Sequence, residues 1–471
     1  MGPVMAHSQS PYPYHRQTVK PSCTHATTES LSNDEPVFTF GVELECIMIF
    51  HEKLIQDHVQ KMQPSSHLAK EINDEEEVSL RHSLRPKTPY NSWAVHDAST
   101  SMLRPYQDEP LRIMKNLVDQ SITPTPEIIV HSGDTKQSTH HTWSLSQDYS
   151  LTGIPHKELP PYIKKIKPST TDNFLSWDSS GVELISPPYP STTLASTFEA
   201  DLVSLLNSIQ YSPSAALTNT PLCGFHVHVG LSNGAPFPLG VIQHLAYLTL
   251  VYEDAISTLH HPYRRSWGYV AEQNPYQQHL EADLKSNRDE ILTFGCESET
   301  FKREDGTTMR CNYKPLSWIR RQIFDVEDST AIGGLSAEEK ILRLVGQDRG
   351  RFVAFAPLAR EEVRGRARTV EFRQHRGTTD PVEVRHWVRF CVGLVGLAWR
   401  YYRVGGECGV KSWRDGIDLE DLWEEMRLGE GERKYWREKR EEYGGLVPGW
   451  KPVPLWEEDD FEDEVEDEVE F

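Results

Sequence analysis

Several short segments carry acidic or imidazole side chains at alternating positions. Phe40-Gly-Val-Glu-Leu-Glu sets Glu43 and Glu45 two residues apart, and Gly224-Phe-His-Val-His-Val-Gly does the same for His226 and His228. Thr369-Val-Glu-Phe-Arg-Gln-His spaces Glu371, Arg373 and His375 in the same way, while Gly181-Val-Glu-Leu-Ile-Ser-Pro carries Glu183 alone. Successive side chains of a strand point to opposite faces. The spacing therefore predicts a polar face bearing these groups and an apolar face bearing Val42, Leu44, Val182, Val227, Val229 and Phe372. If the polar faces converge, the carboxylates cannot all stay ionised unless a cation compensates them. Hard oxygen ligands with one or two imidazoles suit Mg2+ or Mn2+. Each pair taken alone is also what a half-exposed antiparallel sheet shows to water. The joint pattern and the glycine and proline flanks favour the cation site.

The elements that must position these groups are legible from periodicity. Residues 37–49 read as a strand, with further strands near 143–150, over 181–185, over 224–230 and over 369–375. Helical spacing predicts helices over 108–120, 192–210, 239–260 and 381–402, with a further short one near 51–62. Asp380-Pro-Val-Glu opens the helix at 381, with Asp380 as cap, Pro381 in the first turn and Glu383 completing a capping box. Residues 123–142 read as a loop, and the proline-containing stretch 151–180, with four prolines, reads as an insertion without period. Strands followed by long helices, with no regular βα rhythm, predict an α+β fold on an antiparallel sheet. The domain layout expected is a disordered tail over 1–35 and a main domain over 36–405 with insertions near 51–107 and 151–180. A peripheral helical extension over 406–455 and an acidic disordered tail over 456–471 complete it.

Composition excludes some partners. The net charge is -21, and eleven acidic residues fall within 457–471. Nucleic acid needs a basic surface, so it is not expected as a partner. No run approaches the ~20 apolar residues of a membrane-spanning helix, so no membrane is expected either. The seven cysteines are scattered with no CxxC pair, which argues against a cysteine-rich zinc site and for a reducing, cytoplasmic location. Cys223 reads as a small buried residue rather than a nucleophile.

At the level of motif order the chain resembles a known family. Phe40-Gly-Val-Glu-Leu-Glu, Trp143-x4-Asp148-Tyr-Ser150, Gly181-Val-Glu-Leu-Ile-Ser-Pro, Cys223-Gly-Phe-His-Val-His-Val-Gly and Thr369-Val-Glu-Phe-Arg-Gln-His-x-Gly-Thr look like the motif series of the fungal-type amidoligases. These are relatives of glutamine synthetase and glutamate–cysteine ligase. The resemblance covers about residues 37–402. It implies a glutamine synthetase-type catalytic domain, a curved antiparallel sheet with helices on one side. It also implies ATP-dependent joining of a carboxylate to an amine through an acyl phosphate, with Mg2+ or Mn2+. The partners would be small-molecule or peptide carboxylates and amines.

Carried onto this sequence, the resemblance makes Glu43, Glu45, Glu183, His226 and Glu371 the metal ligands. It gives His228 and Arg373 phosphate contacts, since a guanidinium binds phosphate oxygens in bidentate fashion. Asp148 is favoured over Asp97 for the Trp-x4-Asp position, because a helix over 108–120 precedes it. Arg264 and Arg265 follow His-Pro-Tyr where the family has a phosphate-binding arginine; an arginine at a helix C-terminus has a structural reading as well. Phe355 stands where many members have Asn, a departure that weakens the nucleotide or substrate contacts. His375 is expected to line the site or cap its rim. Two other readings compete: a degenerate member acting as a binding or scaffold protein, and a metallohydrolase using His226-x-His228.

Overall fold

One strand organises the sheet. In the computed structural model β1 (Phe38–His51) is fourteen residues long and is buried along almost all of its length. In chain order it is followed by α1 (Glu109–Asp119), β2 (Ile128–Val130), β3 (Trp143–Gln147), α2 (Leu159–Ile166), β4 (Trp177–Ile185), β5 (Tyr189–Pro190) and α3 (Glu199–Gln210). Next come β6 (Ala215–Thr218), β7 (Gly224–Leu231), α4 (Leu239–Ser257), β8 (Thr300–Lys302), β9 (Thr308–Arg310), α5 (Leu316–Phe324) and α6 (Ala337–Val345). The chain ends in β10 (Val353–Ala354), β11 (Val370–Arg376), α7 (Pro381–Val404), α8 (Leu419–Glu425) and α9 (Glu430–Gly445). The structure describes residues 36–54, 109–121, 124–131, 142–168 without 149 and 152, 176–265, 286–287, 300–302, 308–310, 316–324, 336–346, 351–358 without 356, 368–405 and 418–446. The expected tails, the helix beyond residue 54 and the Asp97 motif lie outside the described residues.

The main sheet is open and runs β10-β11-β7-β1-β4-β3-β2, with β5 and β6 also paired to β1. All its pairings are antiparallel except β2 with β3. On one edge β1 pairs with β7 through Phe38–Leu44 and then with β6 through Ile47–Phe50. On the other it pairs with β5 and then with β4 as far as His51. From Val37 onward the chain forms one compact unit. Among the described residues no helix is long and apolar enough to cross a membrane.

Alternation decides which face is dry. Val42, Leu44, Val182, Leu184, Val227, Val229 and Phe372 enter one core together with apolar residues of α1, α3, α4, α6, α7 and α9. The helices follow the expected faces: Leu194, Phe198, Leu202, Leu205 and Ile209 are buried around α3, and Val384, Trp387, Cys391, Leu394 and Ala398 along α7. Asp380 caps α7 by accepting from Val382 N at 2.9 Å. The capping box does not form. Thr378 Oγ1 accepts from Asp380 N instead, at 3.1 Å, and the buried Glu383 accepts from Thr378 and Arg376. Burial opposes the charge of Glu383, but His375 and Arg376 beside it hold its carboxyl down to about 2.

Two segments differ from the sequence reading. The expected loop over 123–142 contains β2, whose three residues pair in parallel with β3. The expected insertion over 151–180 contains α2 and the start of β4. Pro160 and Pro161 occupy the first turn of α2, where a missing N–H costs nothing. Leu151, Ile154, Leu159 and Ile163 of this segment form a small second cluster with Ile47, Ile49 and Trp177. That cluster covers the C-terminal half of β1 on the polar face of the sheet, so helical structure flanks both faces rather than one.

Within 418–446 the chain forms two helices that join the main core: Leu422, Trp423 and Trp436 are buried there. Trp436→Ala is expected to cost about 3–5 kcal/mol. It should lower the midpoint of the main unfolding transition in urea. An early, separate transition with the main midpoint unchanged would show that α9 is not part of that core.

Candidate active site

The strand register brings the alternating groups together. Glu43 lies opposite His226 across the β1–β7 pair, and Glu45 opposite Glu183 across the β1–β4 pair. Glu371 lies opposite His228 across the β11–β7 pair, and Ser146 opposite Glu183 across β3–β4. Cross-strand partners share a face, so five strands deliver their side chains to one patch.

Within the patch, imidazoles separate the carboxylates. His226 Nδ1 is 3.2 Å from Glu43 Oε2 and 3.8 Å from Glu371 Oε1, while its Nε2 is 3.4 Å from Glu45 Oε1. His228 Nε2 is 3.0 Å from Glu43 Oε1 and 3.9 Å from Glu371 Oε1. His228 Nδ1 meets Thr369 Oγ1 at 3.2 Å. Arg373 pairs with Glu371. Ser146 Oγ donates to Glu183 Oε2 at 3.0 Å, and the Gly224 amide donates to Glu45 Oε2.

Among the described residues, two sets of three ligand atoms lie close enough for a shared cation: Glu43, Glu183 and His226, and Glu43, His228 and Glu371. Glu43 belongs to both. Of the five expected metal ligands, four fall in these sets. Glu45 does not, since one of its oxygens is taken by the Gly224 amide and the other faces the far nitrogen of His226. His228, expected at phosphate, lies in the second set.

The electrostatics fit a divalent cation. Burial pushes the Glu43 carboxyl up, yet His228 and His226 outweigh it and hold the carboxyl well below the usual range. Burial also pushes the His228 imidazole down, and Glu43 more than reverses that, leaving it raised. Burial works against Arg373 too, but Glu371 keeps its guanidinium more basic than usual. Glu183 has no such help: burial, Glu43, Asp148 and Glu45 all drive its carboxyl well above the usual range, and only Ser146 opposes them. His228 Nε2 is buried and makes no well-aligned hydrogen bond, even at 3.0 Å from a carboxylate oxygen. A buried imidazole nitrogen without a hydrogen-bond partner, carboxylate oxygens around it and one carboxyl destabilised by its neighbours form a donor set of the kind that a hard divalent cation takes.

Several expectations shift in detail. His375 is not on the polar face. The β11–β7 register slips between Phe372 and His375, and this bulge turns His375 to the helix side, against Trp387, His260 and Phe225. Burial there pushes its imidazole down to about 4. Arg264 and Arg265 part company. Arg264 Nη2 donates to Cys223 O at 2.9 Å beside the patch, while Arg265 Nε turns away to His260 O at 3.0 Å. Asp148 closes a tight turn by accepting from Ser150 N and Oγ, and its charge reaches Glu183. Phe355 is fully buried in the helix-side core, so this departure from the motif sits away from the patch. Cys223 is buried, as expected. Ser146 and the Gly224 amide were not singled out from sequence. Ser146 shares the alternation of Asp148, but its partner depends on pairing with β4.

Comparison with known families agrees with this geometry. Residues 36–304 match the family model described as "Putative amidoligase enzyme". This chain is a member of the amidoligase family. No curated protein and no solved structure matched it. The matched span of this amidoligase contains β1, β4 and β7 and ends before β11, so Glu371 and Arg373 reach the patch from outside it.

The raised carboxyl of Glu183 fixes the sign of a pH effect. Its folded form holds a proton that the unfolded chain loses near the ordinary value of 4.5. Stability therefore falls as pH rises from that value through the folded pKa. Glu183→Gln is expected to raise the thermal midpoint of the chelator-treated protein at neutral pH, with the gain vanishing near pH 4. A midpoint that drops at both pH values would contradict the charge argument.

Proposed function

We propose that this amidoligase is an ATP- and Mg2+-dependent (or Mn2+-dependent) carboxylate–amine ligase forming an amide or isopeptide bond through an acyl phosphate. The observation that carries the reading is the membership of Glu43 in both ligand sets. Glu43 could thus contribute to two neighbouring cation positions, and two such ions would supply the charge stabilisation that suits in-line phosphoryl transfer. Family membership supports ligase chemistry, and carboxylates projecting from an antiparallel sheet support a glutamine synthetase-type catalytic domain.

Glu43, Glu183 and His226 would hold one divalent ion, and Glu43, His228 and Glu371 the other. Bound there, the ions would supply charge neutralisation for the nucleotide phosphates. The remaining work falls to the protein. Arg373, charged and already facing the patch, exchanges part of its pairing with Glu371 for oxygens of the transferring phosphoryl group. The γ-phosphoryl group leaves ADP and bonds to a carboxylate oxygen of the substrate. The amine nitrogen then attacks the activated carbonyl carbon, and inorganic phosphate departs. The amine loses a proton in that step, and Asp148 at the β3 edge is the candidate acceptor. The apolar cluster around Leu151 and Ile154 bounds this end of the face and limits where the substrates lie.

Calorimetry with Mg–ATP tests the proposal directly. The wild-type chain should bind Mg–ATP, and Glu43→Gln, which removes the shared ligand charge, should abolish binding. Panels of amines and carboxylates should then stimulate ADP release. Absence of Mg–ATP binding in the wild type, or binding untouched by Glu43→Gln, would sink the reading. Binding with no turnover on broad panels would favour a non-catalytic member.

A further inference from the structure

We propose that Arg264 and Glu45 form a layer behind the ligands that orients His226, with the Cys223–Gly224 peptide as the link between them. This rests on the metal reading above and goes beyond it by giving both residues positioning roles.

Both ends of that peptide are committed. Its carbonyl, Cys223 O, accepts from Gly377 N at 2.7 Å and from Arg264 Nη2 at 2.9 Å. Its amide, Gly224 N, donates to Glu45 Oε2. A cation at the carbonyl and an anion at the amide polarise one peptide in the same sense, so each bond strengthens the other. Glu45 then presents Oε1 to His226 Nε2 at 3.4 Å, while His226 Nδ1 faces Glu43 at 3.2 Å. A carboxylate behind one ring nitrogen fixes the tautomer and aims the other nitrogen at a metal.

Gly224 is what allows the layer to close. A Cβ at this residue would lie 2.6 Å from Arg264 Nη2, 2.7 Å from His226 Nε2 and 2.9 Å from Glu45 Oε2. The three groups therefore meet over one α-carbon. Arg264 is itself held in place: it is only 8% exposed, and its carbonyl accepts from Gln374 Nε2 at 3.3 Å. Gln374 also donates to Ser257 Oγ at 2.7 Å. The β11 bulge that sends His375 to the helix side thus leaves Gln374 to lock the arginine. The bond from Nη2 to Cys223 O assigns this arginine to the peptide rather than to a phosphate.

Gly377 offers a second route to the same peptide. A Cβ there would sit 2.4 Å from Cys223 Cβ and 3.0 Å from Glu45 O, so Gly377→Ala displaces the link without touching Arg264. The test titrates Mn2+ alone into metal-free protein by calorimetry, with thermal unfolding run on every variant. Arg264→Gln and Gly377→Ala should each weaken Mn2+ binding about 10-fold, the usual effect of losing a group behind a metal ligand. Because they act on one link, the double variant should be no weaker than about 10-fold rather than about 100-fold. Arg264→Lys, which keeps a charged donor, should recover most of the affinity. If Gly377→Ala does not fold, Glu45→Gln replaces it in the cycle.

The outcomes separate cleanly. Wild-type protein that takes up no Mn2+ removes the metal reading itself. Wild-type binding matched by Arg264→Gln, with Mg–ATP affinity lost, makes Arg264 a nucleotide contact and overturns only this inference. Additive losses in the double variant also overturn it. So does failure of both Arg264 variants to fold while the partner variant binds Mn2+ normally.

Discussion

Repulsion among carboxylates on a single sheet face is the constraint to which the rest of this structure answers. Two unit charges about 4 Å apart near a protein surface interact by roughly 4 kcal/mol, and Glu43, Glu45, Glu183 and Glu371 share one patch. Each receives a different form of relief. Glu43 lies between two imidazoles, Glu45 accepts a backbone amide, and Glu371 is paired with Arg373. Glu183 receives only the Ser146 hydroxyl, and its carboxyl is the one driven upward. Compensation is thus complete on the β7 and β11 side and short on the β4 side. A cation bound between Glu43 and Glu183 would relieve the site where the protein itself relieves it least.

Holding that patch requires an inflexible backbone, and β1 provides it. Its apolar residues enter the helix-side core at every second position. A slip of one residue in register would send all of them to the wrong face. The same burial that stabilises the fold therefore fixes Glu43 and Glu45. Beyond Glu45 the polar face turns apolar at Ile47 and Ile49, where Leu151, Ile154, Leu159, Ile163 and Trp177 cover it. The site ends where that cover begins, so the long insertion after β3 also acts as a wall.

Alternation made most of this patch legible in the sequence, because a period of two survives without knowledge of which strand pairs with which. It placed Glu43, Glu183, His226, His228 and Glu371 on polar faces opposite apolar ones, and the structure agrees. It failed where a local rule was broken by a distant partner. His375 follows the alternation of Glu371, but a bulge against β7 turns it over. Glu383 fits a capping box, yet Thr378 and Arg376 draw it inward. Pro160 and Pro161 look like loop signals and are instead the first turn of α2. β2 is too short to show a period, and only its pairing with β3 defines it. Phe355 and the Arg264–Arg265 pair needed three-dimensional packing to be told apart from site residues.

The division of labour between Glu43 and Glu45 shows why face alone does not assign role. The two side chains stand one strand repeat apart, about 6.7 Å along β1. The imidazole of His226 comes from the neighbouring strand into the gap between them, with Nδ1 toward Glu43 and Nε2 toward Glu45. Alternation treats the glutamates as equivalent, but the ring does not, because its two nitrogens face different carboxylates. The Gly224 amide breaks the symmetry by engaging Glu45 from behind. Glu45 is then directed at the ring, and Glu43 remains shared between the two ligand sets. Two glutamates of one motif thereby acquire different surroundings, according to which backbone groups stand behind them.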